Sequence, residues 1–172
     1  MKYAIAPTAV ERKLRQDDFI VSKTDLKGHI TYGNRIFIEF SGFTEAELLG
    51  SQHNIIRHPD MPRAIFQGMW DTIQGGRECF AYVKNLAKDG SYYWVLANVT
   101  PSYDHNGRVV GYFSVRRKPK DDGVRYFTDL YRTMLAAEQR AGAHDAIPAS
   151  TKILNDLLTE KGTTYEQLVL SF

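Results

Sequence analysis

"CFAYVKNLA" (79–87), "KDG" (88–90), "SYYWVLANVTPSY" (91–103), "DHNG" (104–107) and "RVVGYFSVRRK" (108–118) read as three β segments joined by tight polar turns. Turns this short make neighbouring strands antiparallel, so the stretch predicts a three-stranded meander. Side chains alternate along a strand. In the first segment Cys79, Ala81, Val83 and Asn85 share one face, while Phe80, Tyr82 and Lys84 share the other. In the second, Tyr93, Val95, Ala97 and Val99 alternate with Trp94, Leu96 and Asn98. One face of the sheet is built of small side chains and the other of large ones.

Upstream, "DFIVSKTDLKGHITYGN" (18–34) holds two short apolar runs broken by a turn-rich "DLKG", which suits a hairpin. Then come "RIFIEFSG" (35–42) and "TEAELLG" (44–50), brief helical turns each closed by a glycine. Thr44 and Glu47 have the spacing of a capping box. In "RAIFQGMWDTIQGG" (63–76), Ile65, Phe66, Met69, Trp70 and Ile73 recur at helical spacing. Two strands, a set of small helices and a meander predict an α+β fold. Its five-stranded antiparallel sheet carries the helices on one face.

Small residues facing a helical layer leave a void, and voids are costly unless filled. Two readings follow. Phe66 and Trp70 fill the gap as dry core, or the gap is a ligand cavity with Asn85 as one of its few polar anchors. The outward face, with Phe80, Tyr82, Trp94, Leu96, Phe113 and Val115, is too apolar to stand bare. Its cover is the N-terminal arm, the C-terminal helices or a second subunit.

The domain is expected over 18–120. An arm at 1–17 contains one short helix, "TAVERKLRQ" (8–16). A helical extension at 121–172 comprises "GVRYFTDLYRTMLAAEQRAG" (123–142), a linker "AHDAIPAS" (143–150), a helix "TKILNDLLTEKG" (151–162) and a last short helix capped by Thr163 and Glu166.

Composition excludes several classes. With 22 basic and 20 acidic side chains, no strong field points to nucleic acid or an anionic membrane. Cys79 is the only cysteine, which rules out an internal disulfide and fits a reducing compartment. No apolar run is long enough for membrane insertion, and the start of the chain lacks a signal-peptide core, so a soluble cytoplasmic protein is expected. No nucleophile–base or paired-carboxylate arrangement stands out, and an enzyme is not expected. His53 and His58 have only Asp60 nearby as a further metal ligand.

The remaining segment is "HNIIRHPDMP" (53–62), where imidazoles, a guanidinium and a carboxylate share a loop that Pro59 and Pro62 keep irregular. Taken with the order of elements and the "KDG" turn, the chain resembles a PAS domain. "HNIIRHPDMP", "MWDTI", "VKN", "YYWVLANVTP" and "GYFSVR" resemble the PAS sensor of bacterial aerotaxis receptors, over roughly 18–120. That family binds FAD non-covalently and reports cellular redox state to the chemotaxis machinery. In it the loop lies at the flavin pocket, and changes there disturb cofactor retention or signalling. The resemblance implies FAD-binding positions at Asn34, His53, Arg57, His58, Asp60, Phe66, Trp70, Asn85 and Arg116. The expected partners are a second copy of the chain and a signalling protein that the sequence does not name.

Comparison with light-oxygen-voltage domains, photosensory PAS relatives, sharpens this. Their adduct-forming cysteine corresponds to His53 when aligned on Gly50, so a photochemical adduct is not expected. One flavin-contacting asparagine matches Asn85, the next matches Val95, and the terminal glutamine matches an inward-pointing Arg116. Cys79 stands where flavin-bearing aerotaxis sensors often place a tryptophan, which leaves fewer stacking contacts. The alternatives are a cofactor-free interaction and dimerisation module, or a gas sensor holding haem through His53 or His58.

Overall fold

The computed structural model describes residues 5–172. Strands β1 (Ile20–Thr24) and β2 (Ile30–Gly33) form a hairpin. Helices α1 (Arg35–Ser41) and α2 (Glu45–Leu48), a 3-10 turn (His53–Ile56) and α3 (Arg63–Gln74) follow. The meander is β3 (Cys79–Leu86), β4 (Tyr92–Tyr103) and β5 (Val109–Arg117), and α4 (Asp121–Lys161) and α5 (Tyr165–Leu170) complete the chain. The five strands form one antiparallel sheet in the order β2-β1-β5-β4-β3. This is the expected PAS architecture.

The small helices start and stop where their termini are satisfied. Asn34 caps α1 by accepting from the Phe37 amide, and Gly42 ends it in a left-handed conformation. Thr44 and Glu47 form the expected capping box on α2. Phe37, Phe43, Leu48 and Ile56 then bury against Ala81, Val95 and Ala97 on the inner face of the sheet.

The outer face is covered from within the chain. Tyr82 stacks on Phe127 with ring centroids 4.7 Å apart, and Trp94 stacks on Tyr131 at 6.2 Å. Leu168 and Val169 of α5 are buried in the same core. Gly123, in the first turn of α4, lies so close to the Tyr82 ring that a Cβ there would collide with it. The cover is partial, because Phe113 and Val115 remain half-exposed, with the Lys23 ammonium 5.8 Å from the Phe113 ring.

Three expectations are corrected. The arm at 8–16 is extended rather than helical: Tyr92 N donates to Val10 O, Arg12 N donates to Tyr92 O, and Glu11 bridges Tyr92 in parallel. The open start of β4 and an Arg12–Asp89 ion pair at 2.6 Å hold it there. Residues 143–150 are helical rather than a linker. The break falls on Gly142, whose φ of 76° costs a glycine nothing. Pro148 is carried inside the helix, flanked by buried Ala146 and Ser150. The last helix is capped one residue later than expected, by Thr164 with Gln167.

Candidate functional site

Between the inner face of the sheet and the helices lies a cavity of about 350 Å³. The small faces of β3 and β4 form one wall of it, through Val83, Ala97 and Val99. Ile56, Phe66, Met69 and Trp70 supply the opposite apolar wall. Trp70 is fixed edge-on to Tyr112 at 5.5 Å. Ligand cavity, rather than dry core, is the reading this geometry supports.

Register places the polar groups. Pairing sets Ser22 opposite Ser114, and Ser114 opposite Val99, so a row of small residues crosses three strands. Arg116, paired with Ala97 and Ile20, projects inward and is buried. Its Nη2 donates to Ser22 Oγ at 2.6 Å, and that hydroxyl contacts His53 Nε2 at 3.0 Å. The guanidinium lies 4.5 Å from the Phe37 ring. Its Nε and Nη1 have no hydrogen-bond partner among the described residues, and neither has the Nδ2 of buried Asn85.

Unsatisfied buried donors are rare because each costs its full desolvation energy. Burial lowers the Arg116 pKa to about 10, and it remains a cation at neutral pH. Burial, then the Arg116 charge, push His53 down to about 3, so its imidazole is neutral. The cavity therefore presents one buried cation and one amide, both donating, in a largely apolar wall. That donor set fits the carbonyl- and imine-rich edge of a flavin ring.

Arg57 stands over the Phe66 ring at 4.3 Å, and exposed Asn54, Arg63 and Gln67 mark the mouth. Among the sequence-derived candidates, the fold brings His53, Arg57, Phe66, Trp70, Asn85 and Arg116 together on the cavity.

Asn34, His58 and Asp60 are not in its lining. The Asn34 side chain is consumed by backbone, accepting from Val21 and Phe37 and donating to Phe19 O. His58 turns to the other side of the loop, where its Nδ1 accepts from the Asp60 amide and its ring meets Tyr92 edge-on. Asp60 pairs with Lys84 Nζ at 2.6 Å. Here the "RHPDMP" loop divides its charges. Arg57 faces the cavity, while His58 and Asp60 brace the loop against the sheet.

Cys79 is also absent from the lining. It packs with Ile73 and Tyr112, and burial raises its thiol to about 11. Sequence reading missed Ser22, a short polar residue on an inward strand position that was legible only once the register was known. Among the described residues, no cluster of histidine, cysteine and acidic side chains is arranged to hold a metal. No described helix is long and apolar enough to cross a membrane.

Residues 30–116 match the model of the PAS fold family. The chain is 38% identical to the aerotaxis receptor of Escherichia coli (strain K12) over 78% of its own length and 26% of the receptor's. It is 30% identical to a nitrogen fixation regulatory protein of Klebsiella pneumoniae over 60% of its length and 21% of that protein's. It thus spans about a quarter or less of these relatives. The dark structure of the blue-light photoreceptor Aureochrome1 LOV superposes with a TM-score of 0.57 at 23% identity, over 66% of this chain and 83% of that one. Sequence match and superposition agree with the fold described above, and the chain belongs to the PAS fold family.

Proposed function

We propose that this domain is a redox sensor of the aerotaxis type, which binds FAD non-covalently and signals through conformational change rather than catalysis. The observation that carries the reading is the pair of buried, unpartnered donors, Asn85 and Arg116, aimed into an apolar cavity. Similarity to an aerotaxis receptor and to light-oxygen-voltage domains supports it.

Asn85 and Arg116 would hold the polar edge of the ring, and Phe66, Met69 and Trp70 would line its faces. Arg57 and Arg63, at the mouth, offer guanidinium donors to phosphate. A bound flavin supplies reversible electron uptake. Arg116 favours any negative charge that develops beside it, because its own charge is buried without a described acidic partner. Ser22 relays that demand from Arg116 to His53, in the 3-10 turn.

Strands β3 and β4 carry Asn85 on their inner side and Tyr82 and Trp94 on their outer side, against α4. A change in hydrogen bonding at the cavity therefore lies one sheet thickness from the C-terminal helices. The proposed partners are a second copy of the chain and a signalling protein, acting in the cytoplasm without nucleic acid or membrane insertion.

A haem reading has less support. His53 Nε2 is engaged by Ser22, and His58 is outside the cavity lining.

Protein purified without reconstitution should show the paired near-ultraviolet and blue bands of oxidised flavin, and denaturation should release it as FAD. A Soret band, or a colourless protein that takes up no added flavin, would overturn the proposal.

A further inference from the structure

Helix α3, which walls the cavity, starts without a side-chain cap of its own: Pro62 precedes it and makes none. The cap comes from α4. Glu138 Oε1 accepts from the Ala64 amide at 3.2 Å and from Ser150 Oγ at 2.7 Å. Glu138 is buried, at 7% exposure. It occupies the next position on the stripe that buries Phe127, Tyr131 and Met134, a place where the helix pattern calls for an apolar residue.

Two further contacts tie the bend of α4 to the cavity. Arg63 Nη1 donates to Ala143 O at 3.2 Å, and Ile147 is part of the cavity lining. The carboxylate thus sits where an incoming anion would be drawn, at the helix N-terminus that Arg63 begins, and near Arg57, whose guanidinium pKa burial lowers and the Glu138 carboxylate partly restores.

We propose that Glu138 is an internal anion holding the bend of α4 against the cavity mouth, and that the phosphate of a bound flavin's tail displaces it and frees residues 143–161. The inference rests on the flavin reading above, in which Asn85 and Arg116 fix the ring and leave the tail to exit past Arg57 and Arg63. A phosphate outmatches one carboxylate there because it carries more charge and more acceptor oxygens to share between two guanidiniums and the helix terminus. A ligand can move α4 only through such differential interaction. Riboflavin, which has the ring without the phosphate, offers none.

The test uses the full chain, with hydrogen exchange of 143–161 followed under saturating riboflavin, FMN, FAD or inorganic phosphate alone. FMN and FAD should lower protection of that arm by about tenfold, within the usual range of coupling between sites, while riboflavin leaves it unchanged. Glu138→Gln keeps a carbonyl acceptor for Ala64 but removes the charge, and should tighten FMN and FAD by a similar factor without changing riboflavin. Ser150→Ala, which loosens the same latch more gently, should shift affinity in the same direction and serves if the first variant folds poorly. Equal protection with all three flavins bound overturns the latch and leaves flavin binding standing. Release by phosphate alone overturns its link to flavin. Failure of any flavin to bind overturns both.

Discussion

The two faces of the sheet solve opposite problems with the same alternation of side chains. On the outer face, Tyr82 and Trp94 are large, and α4 closes over them with Phe127, Tyr131 and Gly123 until both are buried. On the inner face, Val83, Ala97 and Val99 are small and line a cavity, and Asn85 and Arg116 keep donors that no described residue satisfies. One face is packed for stability. The other gives up packing and hydrogen bonds to leave room. Substitutions should therefore cost stability on the outside and ligand affinity on the inside.

The strongest test of that division is Phe127→Ala. Phe127 is fully buried and stacked on Tyr82, so truncation should destabilise by about 3–5 kcal/mol, as for other buried aromatics. Urea unfolding should show a lower midpoint, while flavin affinity of the folded fraction stays within a factor of a few. If flavin is lost while the midpoint is unmoved, the two faces are not separable as described.

Acid should act through the two buried histidines of the segment beside the cavity. His53 is held near 3 and His58 near 4, both chiefly by burial, against an ordinary value near 6.5. Unfolding frees each ring to bind a proton, so the stability these neutral rings confer is complete above about pH 6.5 and is lost as pH falls toward 4. At about 1.36 kcal/mol per pKa unit, His53 alone accounts for roughly 3 kcal/mol by pH 4. Urea midpoints measured from pH 7 to 4 should fall accordingly, and His53→Phe should flatten the slope. A slope unchanged by that variant would place the acid sensitivity elsewhere.

A smaller effect, of mixed sign, is expected from Asn85→Leu. Removing a buried amide whose donor lacks a described partner should leave stability level or raise it by about 1 kcal/mol. Flavin should bind more weakly by about 1–3 kcal/mol, since its polar edge then meets a methyl group. Arg116→Met should behave alike, because an apolar side chain in place of a buried charge is often stabilising. Full flavin stoichiometry at unchanged affinity in both variants would remove these residues from the site.

How far the sequence revealed this division follows from what each feature depends on. The meander, the face assignment and the α3 stripe are local and periodic, and they were legible. So were Asn85, placed inward by alternation along its strand, and Arg116, placed inward by the resemblance to light-oxygen-voltage domains. Ser22 was not, because its role comes from the β1–β5 pairing, a contact between residues 94 positions apart. The arm at 8–16 looks helical by local composition but is held extended by backbone groups at the start of β4. Glu138 left a visible trace as a charge on an apolar stripe. Its meaning came only from α3 presenting an uncapped amide there.

The finest test lies at the outer edge of β3, where the outer cover meets the sheet. An edge strand exposes carbonyls that invite unwanted pairing, and this one is blunted by a side chain. The Tyr131 hydroxyl donates to Tyr82 O at 2.8 Å and contacts the Tyr165 hydroxyl at 3.1 Å. Tyr131→Phe keeps the ring that stacks on Trp94 and removes only the oxygen. One buried hydrogen bond is lost and a carbonyl is left without it, a cost of about 1 kcal/mol. The expected readout is a small drop in the urea midpoint at constant slope, together with faster exchange of the amides of α5, whose Tyr165 shares the hydroxyl pair. A shift in flavin affinity equal to the stability loss would mean that the outer face reaches the cavity through this edge, and the division between the faces would have to be redrawn there.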